Sequence, residues 1–294
     1  MLLLVAVVWG LSMVPSKWLL EVMEPAGTLV FRYVACALVV PLSLSIGARR
    51  AEGEPGRPWG TMLLVGLWVA AQQLLFIYAL DLTSASEAAL LISLAPIWTA
   101  LIGVFAGIEM LSGANWLGIG LATVGAALII LGNGQAEFSS GPARLAGDLL
   151  MLLSSLLYGG FMAYSKGAMA RWGALRVVSW AFVFGSLAVL PAGLGQFIAA
   201  DWADFDLRIW GALVYTGLIA GGWGFVVWYG CIARTTPART AVYQYLVPVV
   251  TLAGAAVLLG ERMAPGQVLG AVVAIGGLVL ARKPVPSQTK TVPG

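Results

Sequence analysis

Ten runs of apolar residues, separated by short polar breaks, follow one another along the chain. Apolar runs of this length cross a hydrocarbon core of about 30 Å as single α-helices. The predicted spans are 2–21, 25–47, 59–81, 84–107, 114–132, 147–166, 174–199, 208–233, 237–259 and 266–281. The pattern predicts an all-α polytopic membrane protein with ten transmembrane helices. The polar tail, residues 284–294, is predicted to be disordered.

The segment Leu94–Leu128 occurs a second time as Leu246–Leu280, 152 positions further on. Eight residues are identical between the two copies without a gap. The identities in the first copy are Leu94, Pro96, Glu109, Leu117, Gly118, Ala122, Gly125 and Leu128. Because the repeated unit is a nearly apolar helix hairpin, the repeat indicates a duplicated membrane bundle.

The duplication extends to the first helix of each half. A shift of 149 positions places Trp9–Lys17 on Tyr158–Lys166, with Gly10, Met13 and Lys17 among the residues that repeat. The predicted repeats are residues 1–134 and 145–283. Since each contains five spans, an odd number, the two must cross the bilayer in opposite senses, as inverted-topology repeats.

The charges predict which way the chain is oriented. Eleven Lys and Arg residues fall in the connections on the side of the N-terminus and three in those on the other side. The positive-inside rule therefore places both termini in the cytoplasm. The first apolar run lacks a basic leader and a cleavage site, which predicts a retained span. The small net charge of +3 and the lack of a basic, aromatic-rich patch argue against nucleic acid as a partner.

The chain has no histidine, and its carboxylates lie at or near span ends. An enzyme would need a nucleophile, a carboxylate pair or a metal set within the spans, so we predict neither catalysis nor a metal or other cofactor. Proton coupling through a buried carboxylate is also disfavoured. Glu87 is the nearest candidate, and its alternative interpretation is an acid at a helix N-terminus. Sodium coupling through backbone carbonyls stays open.

Three cations within or at the ends of spans have two interpretations each. Arg32 either snorkels to the headgroups or faces a cavity, where it would bind a carboxylate or form a gate. Lys17 and Lys166 either anchor their helices at the interface or, being repeat mates, act in gating or in carboxylate binding.

Polar and aromatic residues inside the spans predict a binding cavity. Amides in contact with lipid are costly, so Gln72 and Gln244 should face the bundle interior. Aromatic residues of spans one, three, four, six, eight and nine are predicted to line the cavity with them: Trp9, Tyr78, Trp98, Tyr158, Trp228 and Tyr243. Such a wall suits a small amphipathic molecule. Pro15, Pro96 and Pro248 are predicted hinges, with static kinks as the alternative.

The runs Trp9–Lys17, Glu24–Pro25 with Arg32–Tyr33, Pro96–Glu109 with Trp116–Gly118, and Pro248–Glu261 with Leu269–Gly270 resemble the EamA repeats of the drug/metabolite transporter superfamily. Within it the chain looks like the YddG-type exporters of aromatic amino acids. The resemblance implies a central cavity walled by spans one to four and six to nine, with spans five and ten at the periphery.

We therefore predict an exporter of apolar or aromatic amino acids and related metabolites, which works by facilitated alternating access in the bacterial inner membrane. The alternative is a broad-specificity drug exporter. The expected partners are a small-molecule substrate and the lipid bilayer, and the expected state is a monomer or weak homodimer.

Overall fold

The protein forms a bundle of ten helices, seen in a computed structural model that describes residues 1–47, 59–83, 88, 91–131, 142–258 and 264–281. The first five helices are α1 (Leu2–Val22), α2 (Pro25–Gly47), α3 (Trp59–Leu82), α4 (Ala95–Phe105) and α5 (Gly113–Leu131). The second five are α6 (Pro142–Trp172), α7 (Ala174–Ala199), α8 (Leu207–Arg234), α9, which runs in the segments Pro237–Ala241, Val242–Tyr245 and Leu246–Leu258, and α10 (Pro265–Ala281). The described residues contain no strand, which confirms the predicted all-α fold.

The ten helices coincide with the ten predicted spans, and α1, α3, α6, α7 and α8 are each long and apolar enough to cross a membrane. The largest differences are at α6, which is longer at both ends than the predicted 147–166, and at α4. The fourth span is predicted to start at residue 84. In the structure a turn at residues 93–94 precedes α4, which begins at Ala95. Residues 84–87, including Glu87, and the tail 284–294 lie outside the described ranges.

Contacts between helices follow the symmetry of two inverted repeats. Helix α1 packs on α9, and its counterpart α6 packs on α4; α2 packs on α8, and its counterpart α7 packs on α3. The counterparts α2 and α7 pack on each other. They run antiparallel, because the amide of Gly27 donates to Oε1 of Gln196 (2.9 Å), whereas Oγ of Ser186 donates to the carbonyl oxygen of Tyr33 (3.1 Å).

Helices α5 and α10 are also counterparts, and glycine lets them approach to backbone contact. A Cβ atom on Gly118 would lie 2.7 Å from the carbonyl oxygen of Gly277, and one on Gly125 would lie 2.7 Å from that of Gly270. Within lipid, where apolar burial gives little drive for association, such close van der Waals packing holds helices together. The pair α5–α10 is thus a tight seam between the two repeats.

Helical regularity breaks near the middle of the bundle. Helix α8 widens to a π-helix over Tyr215–Trp223, and α9 tightens to a 3₁₀ turn over Val242–Tyr245. Such breaks are common at functional sites. The turn at residues 93–94 comes shortly before the predicted hinge Pro96 in α4, and the 3₁₀ turn of α9 comes shortly before Pro248.

The three predicted hinge prolines differ in their local setting. Pro96 is the second residue of α4 and Pro248 the third residue of a helical segment, where a missing N–H breaks no bond within that segment. Pro15 lies inside α1 and removes a hydrogen bond there. A hinge function for these prolines stays a prediction.

Candidate functional site

A cavity of about 120 Å³ lies between the two repeats. Its wall comes from α1, α2, α3, α6, α8 and α9, and from the residues just before α4. The lining residues are Trp9, Ser12, Met13, Ser16, Arg32, Gln72, Gln73, Phe76, Ile92, Ser93, Tyr158, Ala220, Phe225, Gln244, Val247, Pro248 and Thr251. About half are apolar or aromatic and the others are polar, a combination that suits a small amphipathic molecule.

The cavity occupies the middle of the bundle and the half toward the C-terminal end of α1. Its α1 residues are 9–16 of a helix that ends at Val22, and its α3 residues are 72–76 of a helix that ends at Leu82. At 1.5 Å per residue, the last lining residue of each helix lies roughly 9 Å from that helix end. On α1 and α3 the cavity therefore stops short of the end of the bundle opposite to Met1.

Four residues of the wall carry buried polar atoms that have no hydrogen-bond partner among the described residues. These atoms are Nε and Nη1 of Arg32, Oε1 of Gln73, the hydroxyl of Tyr158 and Oε1 of Gln244. A buried polar group without a partner costs free energy comparable to a lost hydrogen bond, and a charged group costs more. The four residues line one cavity, and their unpartnered atoms make them candidates to bind a ligand.

Aromatic rings form the side of the cavity next to α8. Trp9 packs against Phe225, with ring centroids 5.3 Å apart, and against Trp228, with centroids 4.8 Å apart. Its Nε1 atom donates a hydrogen bond to the carbonyl oxygen of Ala220, inside the π-helical segment (2.9 Å). The ring is thereby fixed in position, since both its face and its polar edge have partners.

Gln72 lines the cavity but also joins α3 to α6. Its Nε2 atom donates to Oγ of Ser154 (2.9 Å), and that hydroxyl lies 3.1 Å from the backbone carbonyl of Gln72. The side chain of Gln72 therefore lines the cavity and also holds α3 against α6. Gln73, its neighbour, keeps its carbonyl oxygen unpartnered and is the more available amide.

The structure places the predicted cavity residues in two groups. Trp9, Gln72, Tyr158 and Gln244 line the cavity, and the other four do not. Trp98 faces α6, where its Nε1 donates to Oγ of Ser155 (3.1 Å). Trp228 is fully buried behind Trp9 and donates to the sulfur of Met162 (3.2 Å), while Tyr78 is 36% exposed and Tyr243 packs among apolar side chains.

The three predicted cations are separated from one another. Arg32 lines the cavity. Lys17 lies near the end of α1, where its Nζ donates to the carbonyl oxygen of Leu80 (2.6 Å) with Asp81 nearby, and so ties α1 to the end of α3. Lys166 is half-buried in the last third of α6, at the other end of the bundle from Lys17.

Several residues of the wall were not predicted from the sequence. On α1 they are Ser12, Met13 and Ser16, which follow Trp9 at helical spacing and share its face. That periodicity is visible in the sequence and could have identified them. Phe225 and Ala220 carry no comparable signal, because the widened turn of α8 changes which of its residues face inward.

A buried carboxylate lies at the end of the bundle where α1 begins. Glu109 follows α4 and is only 9% exposed; its Oε1 accepts a hydrogen bond from the backbone amide of Ala238, at the start of α9 (3.0 Å). Gly103 leaves room for this side chain, since a Cβ atom there would lie 2.7 Å from Oε1. The contact joins the first repeat to the second at the end where α1 begins.

The described part of the chain contains no candidate metal-binding site. No three His, Cys, Asp or Glu side chains within it come together as ligands. The prediction that no cofactor is needed stays a prediction.

Ten helices in two inverted repeats around a central cavity define a membrane carrier. The chain belongs to the EamA-like transporter family, which matches residues 1–131 and 145–282, and thereby to the drug/metabolite transporter superfamily, as the resemblance predicted. The protein is accordingly a multi-pass membrane transporter rather than an enzyme.

Two relatives share almost the whole length of the chain. A protein of Streptantibioticus cattleyicolor named "Probable terminal-alkyne amino-acid exporter" is 27% identical over 285 residues, which are 96% of this chain and 92% of that protein. A "Probable amino-acid metabolite efflux pump" of Salmonella typhimurium is 28% identical over 287 residues, 95% of this chain and 92% of that protein. A crystal structure with 18% identity superposes with a TM-score of 0.77 over 95% of this chain and 94% of its own, a likeness of fold alone.

Proposed function

We propose that this protein exports amino acids with apolar side chains across the bacterial inner membrane, with both termini in the cytoplasm. The observation that carries the proposal is the buried guanidinium of Arg32, unpartnered among the described residues, on the wall of an aromatic-lined cavity. A molecule with one carboxylate and an apolar body matches this combination.

The carboxylate of the substrate binds Arg32. A guanidinium presents N–H groups in a planar fork that pairs with the two oxygens of a carboxylate. An ion pair of this kind is strong where water is excluded, and it removes the cost of leaving the cation buried alone. Oε1 of Gln73 and Oε1 of Gln244 are available to accept hydrogen bonds from the ammonium group.

The apolar part of the substrate lies against Trp9, Phe225 and Ile92. An apolar cavity of about 150 Å³ holds a benzene molecule, so the observed volume of about 120 Å³ is too small to enclose a whole amino acid. We expect the cavity to widen on binding, less for valine and leucine than for phenylalanine and tryptophan.

Two relatives are named for amino-acid export, and this supports the choice of substrate over an unspecific drug. A broad drug exporter needs few directed hydrogen bonds, so it gives no reason for four residues of one cavity wall to carry unpartnered polar atoms. Tolerance of substitution at Arg32 and Gln244 would favour that alternative.

Transport proceeds by alternating access. Inverted repeats supply two related packings of one chain, each open to a different side. Glu109 joins the two repeats at one end of the bundle through its hydrogen bond with Ala238, and we assign that end to the cytoplasm. Since no carboxylate belongs to the described part of the cavity wall, we propose facilitated transport without proton coupling through such a group.

The test is uptake of labelled valine, leucine, phenylalanine and tryptophan into proteoliposomes, with and without a proton gradient. We expect saturable uptake of leucine that the gradient does not change, and its loss in Arg32→Gln. Arg208→Gln is the matched control, because Arg208 is exposed and pairs loosely with Glu21 (3.8 Å). Failure of every amino acid to move, or full activity of Arg32→Gln, would overturn the proposal, and gradient-driven accumulation would overturn the uncoupled mechanism.

A further inference from the structure

We propose that the cavity selects its substrates by the carboxylate alone, so that 2-oxo and 2-hydroxy acids with apolar side chains are transported as well as the corresponding amino acids. The inference rests on the proposed function, since it assigns a wider substrate class to the same site. It follows from the distribution of charge on the wall.

The described part of the cavity wall carries one formal charge, that of Arg32. Its other unpartnered polar atoms belong to the neutral side chains Gln73, Tyr158 and Gln244. Acids that the structure describes on or beside the helices of the wall interact elsewhere: Glu21 lies near Arg208, Asp81 beside Lys17, Asp148 accepts a hydrogen bond from Thr83, and Glu109 accepts one from Ala238. The substrate carboxylate therefore meets an opposite charge, and an ammonium group meets only dipoles.

This asymmetry makes the ammonium group dispensable. A buried charge must be compensated by an opposite charge or by several hydrogen bonds. The charge of the carboxylate is compensated by the opposite charge of Arg32. The ammonium group, by contrast, exchanges its hydrogen bonds with water for hydrogen bonds to neutral acceptors only. Replacing it with an oxo or hydroxyl group removes one charge that has to be desolvated, and the cation at Arg32 is still neutralised.

The neutral side chains can serve either kind of substrate. A glutamine amide accepts through Oε1 and donates through Nε2, and rotation about its last torsion exchanges the two. The hydroxyl of Tyr158 likewise donates or accepts. Gln73 and Gln244 would present oxygen to an ammonium group and nitrogen to an oxo group, so the same cavity holds both.

The two classes differ in the charge that they carry across the membrane. A zwitterionic amino acid moves no net charge, whereas a 2-oxo acid moves one negative charge. One elementary charge in a potential of 100 mV corresponds to an equilibrium accumulation of about 50-fold. Uncoupled transport of a 2-oxo acid should therefore respond to the membrane potential, and transport of leucine should not.

The test compares three molecules that share one apolar body: leucine, its 2-oxo analogue 4-methyl-2-oxopentanoate, and 3-methylbutylamine, which lacks the carboxylate. Labelled forms are offered to proteoliposomes that hold the purified full chain, with a potassium gradient and valinomycin to set the potential. We expect saturable uptake of leucine and of the 2-oxo acid. A potential positive inside should raise accumulation of the 2-oxo acid toward about 50-fold at 100 mV, leave that of leucine unchanged, and produce no uptake of the amine above empty liposomes.

The outcomes separate this inference from the proposed function. Uptake of leucine without uptake of the 2-oxo acid would overturn the inference and leave amino-acid transport standing. Uptake of the 2-oxo acid without leucine would support carboxylate selection and overturn amino-acid transport. If neither moves, both proposals fail, and uptake of the amine would overturn carboxylate selection directly.

Two variants and one competition assay complete the design. Arg32→Gln should lose uptake of both acids, and, in case that variant does not fold, inhibition of wild-type leucine uptake by the 2-oxo acid gives an independent measurement. Glu87→Gln should keep both activities. Loss of leucine uptake alone in Glu87→Gln would mean that Glu87 binds the ammonium group, and this would overturn the inference.

Discussion

The indole nitrogen of Trp9 donates a hydrogen bond to the carbonyl oxygen of Ala220, 2.9 Å away and 211 positions later in the chain. The bond links the first helix of one repeat to the π-helical segment of the other, and it fixes one wall of the cavity. Since the two helices belong to different repeats, a change of access that moves one repeat against the other must strain or break this contact.

We predict that Trp9→Phe lowers the transport rate more than Trp98→Phe does. Both substitutions keep an aromatic ring and remove one N–H donor, at a cost of about 0.5–1.5 kcal/mol. Only Trp9 lies on the cavity wall, whereas the bond of Trp98 to Ser155 joins two helices outside it. Initial rates of leucine uptake at matched protein amounts provide the measurement. Equal rates in the two variants would contradict the assigned wall.

We predict that Glu109→Ala opens the end of the bundle where α1 begins. The substitution leaves the buried amide of Ala238 without its acceptor, which costs about 1–3 kcal/mol in the closed arrangement. A shift of this size changes the ratio of closed to open forms by roughly 5- to 150-fold.

Labelling of a single cysteine measures that opening. The cysteine is placed at Ala241, which is fully buried in α9, after Cys36 and Cys231 have been replaced by alanine. A soluble maleimide should react faster in Glu109→Ala. Glu109→Gln keeps an acceptor oxygen and should react as the wild type does; the same rate in all three proteins would show that this contact does not hold the end closed.

We predict that Gly125→Ala lowers the melting temperature, whereas Gly120→Ala does not. A methyl group at Gly125 collides with the backbone of α10, and overpacking of this kind costs about 1–3 kcal/mol. Among the described residues, no atom beyond the neighbouring backbone of α5 itself lies within 4 Å of a Cβ atom at Gly120, and alanine is the better helix former there. Thermal unfolding in detergent, followed by size-exclusion chromatography, compares the two. If the Gly125 variant were as stable as the Gly120 variant, this would argue against close packing of α5 on α10.

We predict that Pro15→Ala stabilises the protein and slows transport, while Pro96→Ala changes stability little. Alanine at position 15 can form the hydrogen bond that proline removes from the interior of α1. At position 96, in the first turn of α4, there is no such bond to recover. Melting temperature and leucine uptake are measured together. Faster transport in Pro15→Ala would show that bending at this proline is not needed.

The sequence predicted the ten helices and the inverted repeats because apolar runs and matched identities report directly on span and duplication. It predicted only part of the cavity, since depth within a span does not tell which face of the helix a residue occupies. Trp98 and Trp228 are as deep as Trp9, but one faces α6 and the other lies behind Trp9. The π-helical turn of α8 has no sequence pattern that would place Phe225 on the wall.

Glu109 shows a second limit of prediction from the sequence. It lies in a short polar break, and nothing in that position indicates that the side chain is buried against an amide 129 positions away. Contacts between repeats depend on how two separate hairpins meet, which the pattern of one hairpin cannot specify.

The seam between α5 and α10 has one further property. A shift of 152 positions turns Gly118 into Gly270 and Gly125 into Gly277, so the contact of Gly118 with Gly277 becomes the contact of Gly270 with Gly125. An interface that maps onto itself is isologous, the kind by which two identical subunits associate. A single five-helix ancestor, inserted in both orientations, would have formed this seam with a second copy of itself. Residues 1–131 and 142–294, made as separate chains, should then assemble without the covalent link.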